Sequence, residues 1–372
     1  MNKITLYGFA ISLYTGRARS YLIKAGLPYR EIPATSAHFF EKVLPVAGPR
    51  TSYPTIETEE GDVIRDGAAI IEHYESKSGR QFLPTTPKQK ILSLLFDVIG
   101  AEGLLRPAMH YRWDYPAENE AFLKYHFQCL LPAGTEGGES ASDTMQRMRI
   151  ACQSFGAVPD TFEVVEGLYV ELLEKLAAHF AVCPYLFGGR PSIGDFGMIG
   201  PFFAHLGRDP KPLSMMQENA FQLFRWVERM NRADADIGEF DCKDESYLLN
   251  DEIPITLIHL LKQFAVDFIP ETEAASTCIN LWLGENEDLQ PETPIFRGVG
   301  QCEFALRGKT ISALAQPYRF YLLKRVQDAF NTLPESHQDE VRRLLEQCDM
   351  LGVLDITIDR EIVRRNNREV WR

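Results

Sequence analysis

Apolar and polar residues alternate along Lys3, Ile4, Thr5, Leu6 and Tyr7, the period of a short strand. The stretch GFAISLYTGRAR follows at 8–19, and a helical pattern runs from Ala18 to Ala25. The same reading predicts strands over 3–7, 29–33, 54–58 and 62–65, and helices over 16–26, 36–44 and 67–78. The predicted order is β-α-β-α-β-β-α. EEGDV at 59–63 is a turn between two short strands, so the last pair should be a hairpin. The first two strands flank a helix and should be parallel. These features predict a mixed four-stranded sheet with helices on its faces.

The pattern changes after 78–90, where Pro84 and Pro87 mark a linker. Ile91, Leu92, Leu94, Leu95, Val98 and Ile99 begin a buried helix. PAGTEGGESASD at 132–143 reads as an exposed, mobile loop. Phe162, Val165, Tyr169, Leu172, Leu176 and Phe180 form one helix face, and a further helix is expected over about 216–231. Residues 89–245 thus read as all-helical. In 246–372 the predicted elements are a helix through LIHLLKQFAVDFI, a strand in GVGQCEFALRG and helices in PYRFYLLKRVQDAF and DEVRRLLEQCDMLGVL. The division expected is 1–80, 89–245 and 246–372.

Composition adds exclusions. At 372 residues the chain has room for two or three domains, and 45% hydrophobic with 24% charged residues is ordinary for a globular protein. A net charge of −13 argues against nucleic acid as a partner. The basic cluster Arg364, Arg365 and Arg368 reads as a charged helix end. No signal-like N-terminus and no membrane-length apolar run are present, so a cytoplasmic protein is expected. The seven cysteines at 129, 152, 183, 242, 278, 302 and 348 have no CxxC or metal-ligand spacing. His205 and His259 lack nearby ligand partners in sequence, and no metal is expected.

Four short stretches carry candidate chemistry. Ser12 falls where the first helix should begin. Backbone N–H groups there favour negative charge, and a hydroxyl can donate to a thiolate; it can equally serve as a simple cap. Pro54 opens a strand after Tyr53, and a cis bond there would turn the Tyr53 backbone towards a ligand. Asp66 and Gly67 precede a helix, where Asp66 can cap the backbone or hold an ammonium group. Ser192 and Asp195 have capping-box spacing, with Pro191 and Phe196 placed to staple the entry of a buried helix.

In this order the four stretches resemble the glutathione transferase superfamily. LYGFAISLYTGRARSYLIKAGLPY is similar to its first strand, catalytic turn and first helix. YPTI is similar to its cis-proline strand, VIRDGAAIIEHYE to its acidic-serine motif, YLFGGRPSIGDF to its buried capping box and FRWVERM to a later helix. The resemblance covers about residues 1–235. It implies an α/β thioredoxin-like domain, then an all-helical domain; the C-terminal extension is expected to be mostly helical with a short strand. It implies glutathione as co-substrate, with the thiolate at Ser12, the cysteinyl backbone at Tyr53 and Pro54, and the γ-glutamyl end at Asp66 and Gly67. A homodimer is also implied. Ser12 replaces a possible cysteine and Thr15 stands where a second would be, which disfavours disulfide exchange. Gly67 stands where the family has serine, and residues 246–372 have no counterpart in the common fold.

The function expected is transfer of glutathione to a small electrophile. Phe9, Tyr14, Tyr111, Trp113 and Tyr115 are candidates to line the second site, each with core packing as its alternative. Tyr7 and Tyr14 are reserve contacts for the thiolate. A non-catalytic binding or scaffold protein of the same fold is the competing reading, and a thiol-disulfide reductase is the third.

Overall fold

The computed structural model describes residues 3–48, 53–130, 140–241 and 243–372. Strand β1 (Ile4–Tyr7) leads to helix α1 (Leu13–Lys24) and then β2 (Tyr29–Ile32). A π-helical turn (Phe39–Val43) runs into the short α2 (Leu44–Ala47). Strands β3 (Thr55–Glu57) and β4 (Val63–Arg65) and helix α3 (Gly67–Ser78) complete a thioredoxin-like domain. The sheet order is β2-β1-β3-β4, with β1 parallel to β2 and antiparallel to β3. β3 and β4 form the expected hairpin. Period-two alternation assigns the faces of β1: Ile4 and Leu6 join the main core, while Tyr7 packs with Ala34, Phe39 and Val43 on the other face.

An all-helical region follows. It comprises α4 (Pro87–Val98), a second π-helical turn (Ile99–Gly103), α5 (Leu105–Trp113), α6 (Pro116–Gln128), α7 (Ala141–Gln153), α8 (Phe162–Phe180), α9 (Ile193–Ala204), α10 (Pro210–Asn219) and α11 (Phe221–Arg229). The loop expected at 132–143 falls mostly outside the described residues; Ser140 caps α7, whose first turn takes up 141–143. The single helix expected over 216–231 is two helices, broken at Ala220 (φ −146, ψ 53).

Helix α9 packs against both α1 and α4 and so links the first domain to the second. Asp195 fixes its start. The buried carboxylate accepts from Ser192 N at 2.8 Å, Ser192 Oγ at 2.9 Å, Leu186 N at 3.1 Å and Trp226 Nε1 at 3.1 Å. Gly100 in the π-helical turn lies on Gly197 of α9; a Cβ at 100 would stand 2.2 Å from the Gly197 carbonyl carbon. The turn is therefore held directly against α9.

The C-terminal region is α12 (Ile255–Glu285), the hairpin β5 (Gln301–Leu306) and β6 (Lys309–Leu314), α13 (Pro317–Asn331), α14 (Glu335–Gln347) and the hairpin β7 (Ile362–Arg365) and β8 (Arg368–Trp371). Two hairpins stand where one strand was expected. Arg364, Arg365 and Arg368 lie on the second hairpin and not at a helix end. The region is not a separate body, because its apolar residues share one core with the first domain, from Ile4 to Trp371. α12 packs on α8, and α13 and α14 pack on α4. Asn367 grips edge strand β4, accepting from Arg65 N at 3.2 Å and donating to Val63 O at 2.9 Å. That pairing covers an otherwise open sheet edge.

Candidate functional site

Register brings the site together. Tyr7 pairs with Thr55, and Thr55 pairs with Arg65. The end of β1, the start of β3 and the end of β4 therefore lie side by side. Everything just beyond them, 8–12, Pro54 and Asp66, gathers at one end of the sheet. With strands about 4.8 Å apart, β1 and β4 are separated by about 10 Å, roughly three residues of extended chain.

Ser12 is the N-cap of α1, with φ −83 and ψ 124. Its Oγ accepts from Thr15 N at 3.3 Å, and Ser12 N donates to Phe9 O at 2.9 Å. The hydroxyl hydrogen donates to no group among the described residues, and the side chain is partly exposed. The Tyr53–Pro54 bond is cis. Pro54 O accepts from Asp66 N at 3.0 Å, which ties the start of β3 to the cap of α3.

Asp66 holds a left-handed φ of 85, uncommon for a residue with a side chain and concentrated at functional sites. Its Oδ1 accepts from Ala68 N at 2.9 Å and Ala69 N at 3.1 Å. Its Oδ2 accepts from the Tyr318 hydroxyl at 2.8 Å. Burial, then the Asp66 charge, pushes the Tyr318 phenol well up, so it stays a donor. Sequence reasoning missed Tyr318, and no local pattern marks it. The glycine at 67 also has a physical reason. A Cβ there would come within 3.3 Å of Arg17 Cδ, and the Arg17 side chain is buried in an ion pair with Asp97.

Tyr14 projects from the first turn of α1, and its phenol is pushed up by burial and by Glu102, with Arg297, Asp66 and Arg17 also acting on it. It too can donate a hydrogen bond but not accept a proton. Phe9 lies beside Tyr53, ring centroids 6.4 Å apart, and meets Phe127 edge-on at 5.4 Å. The other aromatic candidates pack within the helical region. Tyr111 and Trp113 are buried, Tyr111 stacks on Tyr115 at 5.5 Å, and the Tyr115 hydroxyl donates to Glu166 at 2.7 Å. Tyr7 is buried, with its hydroxyl 3.2 Å from Glu57. His205 Nδ1 lies 2.9 Å from Ala108 O.

Among the described residues no cluster of three or more His, Cys, Asp or Glu is placed to hold a metal ion, and no helix is long and apolar enough to cross a membrane. None of the described cysteines lies in the 8–19 turn. Burial pushes Cys183 up to about 11 and Cys348 up to about 12, which leaves both as thiols.

Comparison with known proteins places the first domain. The family described as "Glutathione S-transferase, N-terminal domain" matches residues 6–82. A glutathione S-transferase of Pseudomonas putida is 30% identical over 101 residues, which is 26% of this chain and 43% of that protein, so the match spans less than half of the relative's length. Among solved structures, a beta-etherase from Sphingobium sp. strain SYK-6 is 17% identical, covering 64% of this chain and 98% of its own, with a TM-score of 0.43. A theta-class glutathione S-transferase from Xanthomonas axonopodis pv. citri with glutathione bound is 18% identical, covering 66% and 100%, with a TM-score of 0.37. The matched stretch carries Ser12, Pro54 and Asp66, and it is similar to the N-terminal domain of glutathione S-transferases.

Proposed function

We propose that the protein binds glutathione along the sheet end between Ser12 and Asp66, keeps its thiol ionised and adds it to a small electrophile. The observation that supports this most is the register Tyr7–Thr55–Arg65, which sets about 10 Å apart the strand ends that lead to a helix cap with an uncommitted hydroxyl and to a carboxylate in a left-handed turn. Ser12 donates to the thiolate. The α1 N-terminus adds its dipole, and such sites bring a thiol from about 8.5 into the range of roughly 3.5–7.5. The Tyr53 and Pro54 backbone pairs with the cysteinyl residue, Asp66 holds the ammonium, and the Gly67 N–H is offered to the γ-glutamyl carboxylate. Loss of the serine hydroxyl at 67 removes a bond worth about 1.5–3 kcal/mol. Phe9 and Tyr14 flank the electrophile, and the rate gain comes from thiolate fraction and proximity. The proposal includes a homodimer in the cytoplasm, to be read by light scattering and fractionation.

One observation favours the scaffold reading. The Tyr318 hydroxyl already occupies Asp66 Oδ2, where the ligand's ammonium would bind. Calorimetric titration with glutathione at neutral pH separates the two. Micromolar to low-millimolar binding, weakened at least tenfold by Asp66→Ala, supports the transferase. No heat at several millimolar, with the protein folded, leaves the scaffold.

A further inference from the structure

A cleft of about 280 Å³ opens between α3, α13 and β7, just under the roughly 300–1,000 Å³ usual for small-ligand sites. Its position follows from packing. α13 rests on α4 and on β7, and on the α3 side Ala68 and Ala69 line the cleft with side chains too short to fill it. Tyr321 and Arg325 line the opposite wall; four residues apart, they share one face of α13. Arg364 of β7 closes the third side. The cleft includes none of Ser12, Pro54 or Asp66, although Ala68 N and Ala69 N donate to Asp66. It adjoins the sheet end and is a separate space.

The lining holds donors that the protein leaves unused. Arg325 donates from Nη1 to Asp97 at 3.1 Å, and its Nη2 stands 3.8 Å from Glu72, beyond hydrogen-bond reach. Glu72 itself is taken by Arg80, at 2.7 and 3.2 Å. Arg364 donates from its two Nη atoms to Glu369, Arg65 O and Asn367, and its Nε to none of the described residues. The Tyr321 hydroxyl and the buried Nε2 of His73, also on the lining, have no partner among the described residues. Charge points the same way. Asp97 is shared by Arg325 and Arg17, and Glu369 by Arg364 and, at 3.7 Å, Arg65. With Arg80 on Glu72, and Asp66 at the head of α3, five guanidinium groups stand against four carboxylates. The cleft is a positive spot on a chain of net charge −13.

We propose that this cleft binds a small organic anion with a flat apolar body, of the arenecarboxylate class. Arg325 and Arg364 take the carboxylate, since a planar guanidinium matches its two oxygens and is weakly hydrated. The Tyr321 hydroxyl donates to the same group. The ring covers Ile64, Ala68 and Ala69, which form the apolar part of the lining. A bare inorganic anion leaves that wall uncovered, and a neutral ring leaves the charge unmet, so both bind less tightly. The site is independent of glutathione binding and stands or falls without it.

The test is calorimetric titration of the full chain at pH 7 and low salt with three probes: sodium benzoate, benzamide and inorganic phosphate. Benzoate should bind with a Kd below about 1 mM, at least tenfold tighter than either of the others. Ala69→Leu fills the cleft without changing its charge, and Arg325→Gln removes a cation; each should weaken benzoate at least tenfold. Glutathione in excess should leave benzoate affinity within twofold. Benzoate no tighter than benzamide, or unmoved by both substitutions, overturns the proposal. So does displacement by glutathione, which would seat benzoate at the sheet end. Phosphate as tight as benzoate overturns the arene class. Should Arg325→Gln not fold, Ala69→Leu and Tyr321→Phe decide. Should glutathione itself give no heat, the transferase reading falls, and Ala69→Leu still decides whether benzoate sits in the cleft.

Discussion

Ser12 uses its oxygen to cap Thr15 and its hydrogen meets no acceptor among the described residues, so on the proposed reading Ser12→Ala should show two separable effects. Loss of the cap lowers stability by about 1 kcal/mol, read as a small fall in Tm. Loss of the donor raises the pKa of bound glutathione by about one unit or more, read from the ultraviolet absorbance of the thiolate. A thiolate titration unchanged by the substitution would move the contact to Tyr14. Tyr318→Phe frees Asp66 Oδ2, and glutathione should bind about fivefold tighter, about 1 kcal/mol, by calorimetry. Weaker binding would instead make Tyr318 part of the ligand's own hold. Glu102 also gives a pH-dependent stability. Its ordinary value is 4.5 and its folded value about 7, so the stability of the protonated form is complete below about 4.5 and lost as pH rises through 7. Glu102→Gln does not titrate, and its stability relative to wild type should rise by about 3 kcal/mol between pH 4.5 and 8, measured by urea unfolding at both. Ser12 and Asp66 were legible in the sequence because a cap is local chemistry, written within three residues. Tyr318 and Glu102 were not, because their meaning lies in tertiary contacts; Tyr318 meets Asp66 across 252 positions.

Among the elements, α9 depends most on one residue. Asp195→Ala leaves four buried donors without an acceptor, from Ser192, Leu186 and Trp226. The expected loss is about 3 kcal/mol or more by chemical denaturation. A loss under about 1 kcal/mol would mean that the helix start is held by packing alone. Ser192 and Asp195 were readable as a box, and the strands of the first sheet from alternation. The C-terminal hairpin was missed although its signal is present: Asn366 and Asn367 adopt φ 44 and 64 between alternating residues, a two-residue turn that asparagine tolerates. The adjoining arginines drew the reading towards a helix end. The break at Ala220 carries no glycine or proline, and no local pattern marks this buried residue.

For the whole molecule, the C-terminal region completes the core as well as covering the site. Leu257, Leu260, Leu261, Phe264 and Phe268 of α12 are buried, and each such side chain is worth about 1.5–3 kcal/mol. A chain cut after residue 245 should therefore lose cooperative unfolding and aggregate, seen by circular dichroism and light scattering. A soluble, folded fragment would show that the first two regions form a core of their own. The helices of 255–347 were legible from their periodicity. Their attachment to α4, α8 and β4 was not, since an apolar face does not name its partner.

The bond between Tyr318 and Asp66 also orders events in time. A ribosome adding roughly 5–20 residues per second makes Tyr318 about 13–50 s after Asp66. Because the first domain shares its core with α12 and α13, Asp66 stays without its Tyr318 donor until the C-terminal region has been made and packed. During that interval Asp66 is open to whatever ammonium or hydroxyl group the cell offers. On the proposed reading, glutathione held there when α13 packs is enclosed with the site, and protein purified from cells should release it on unfolding.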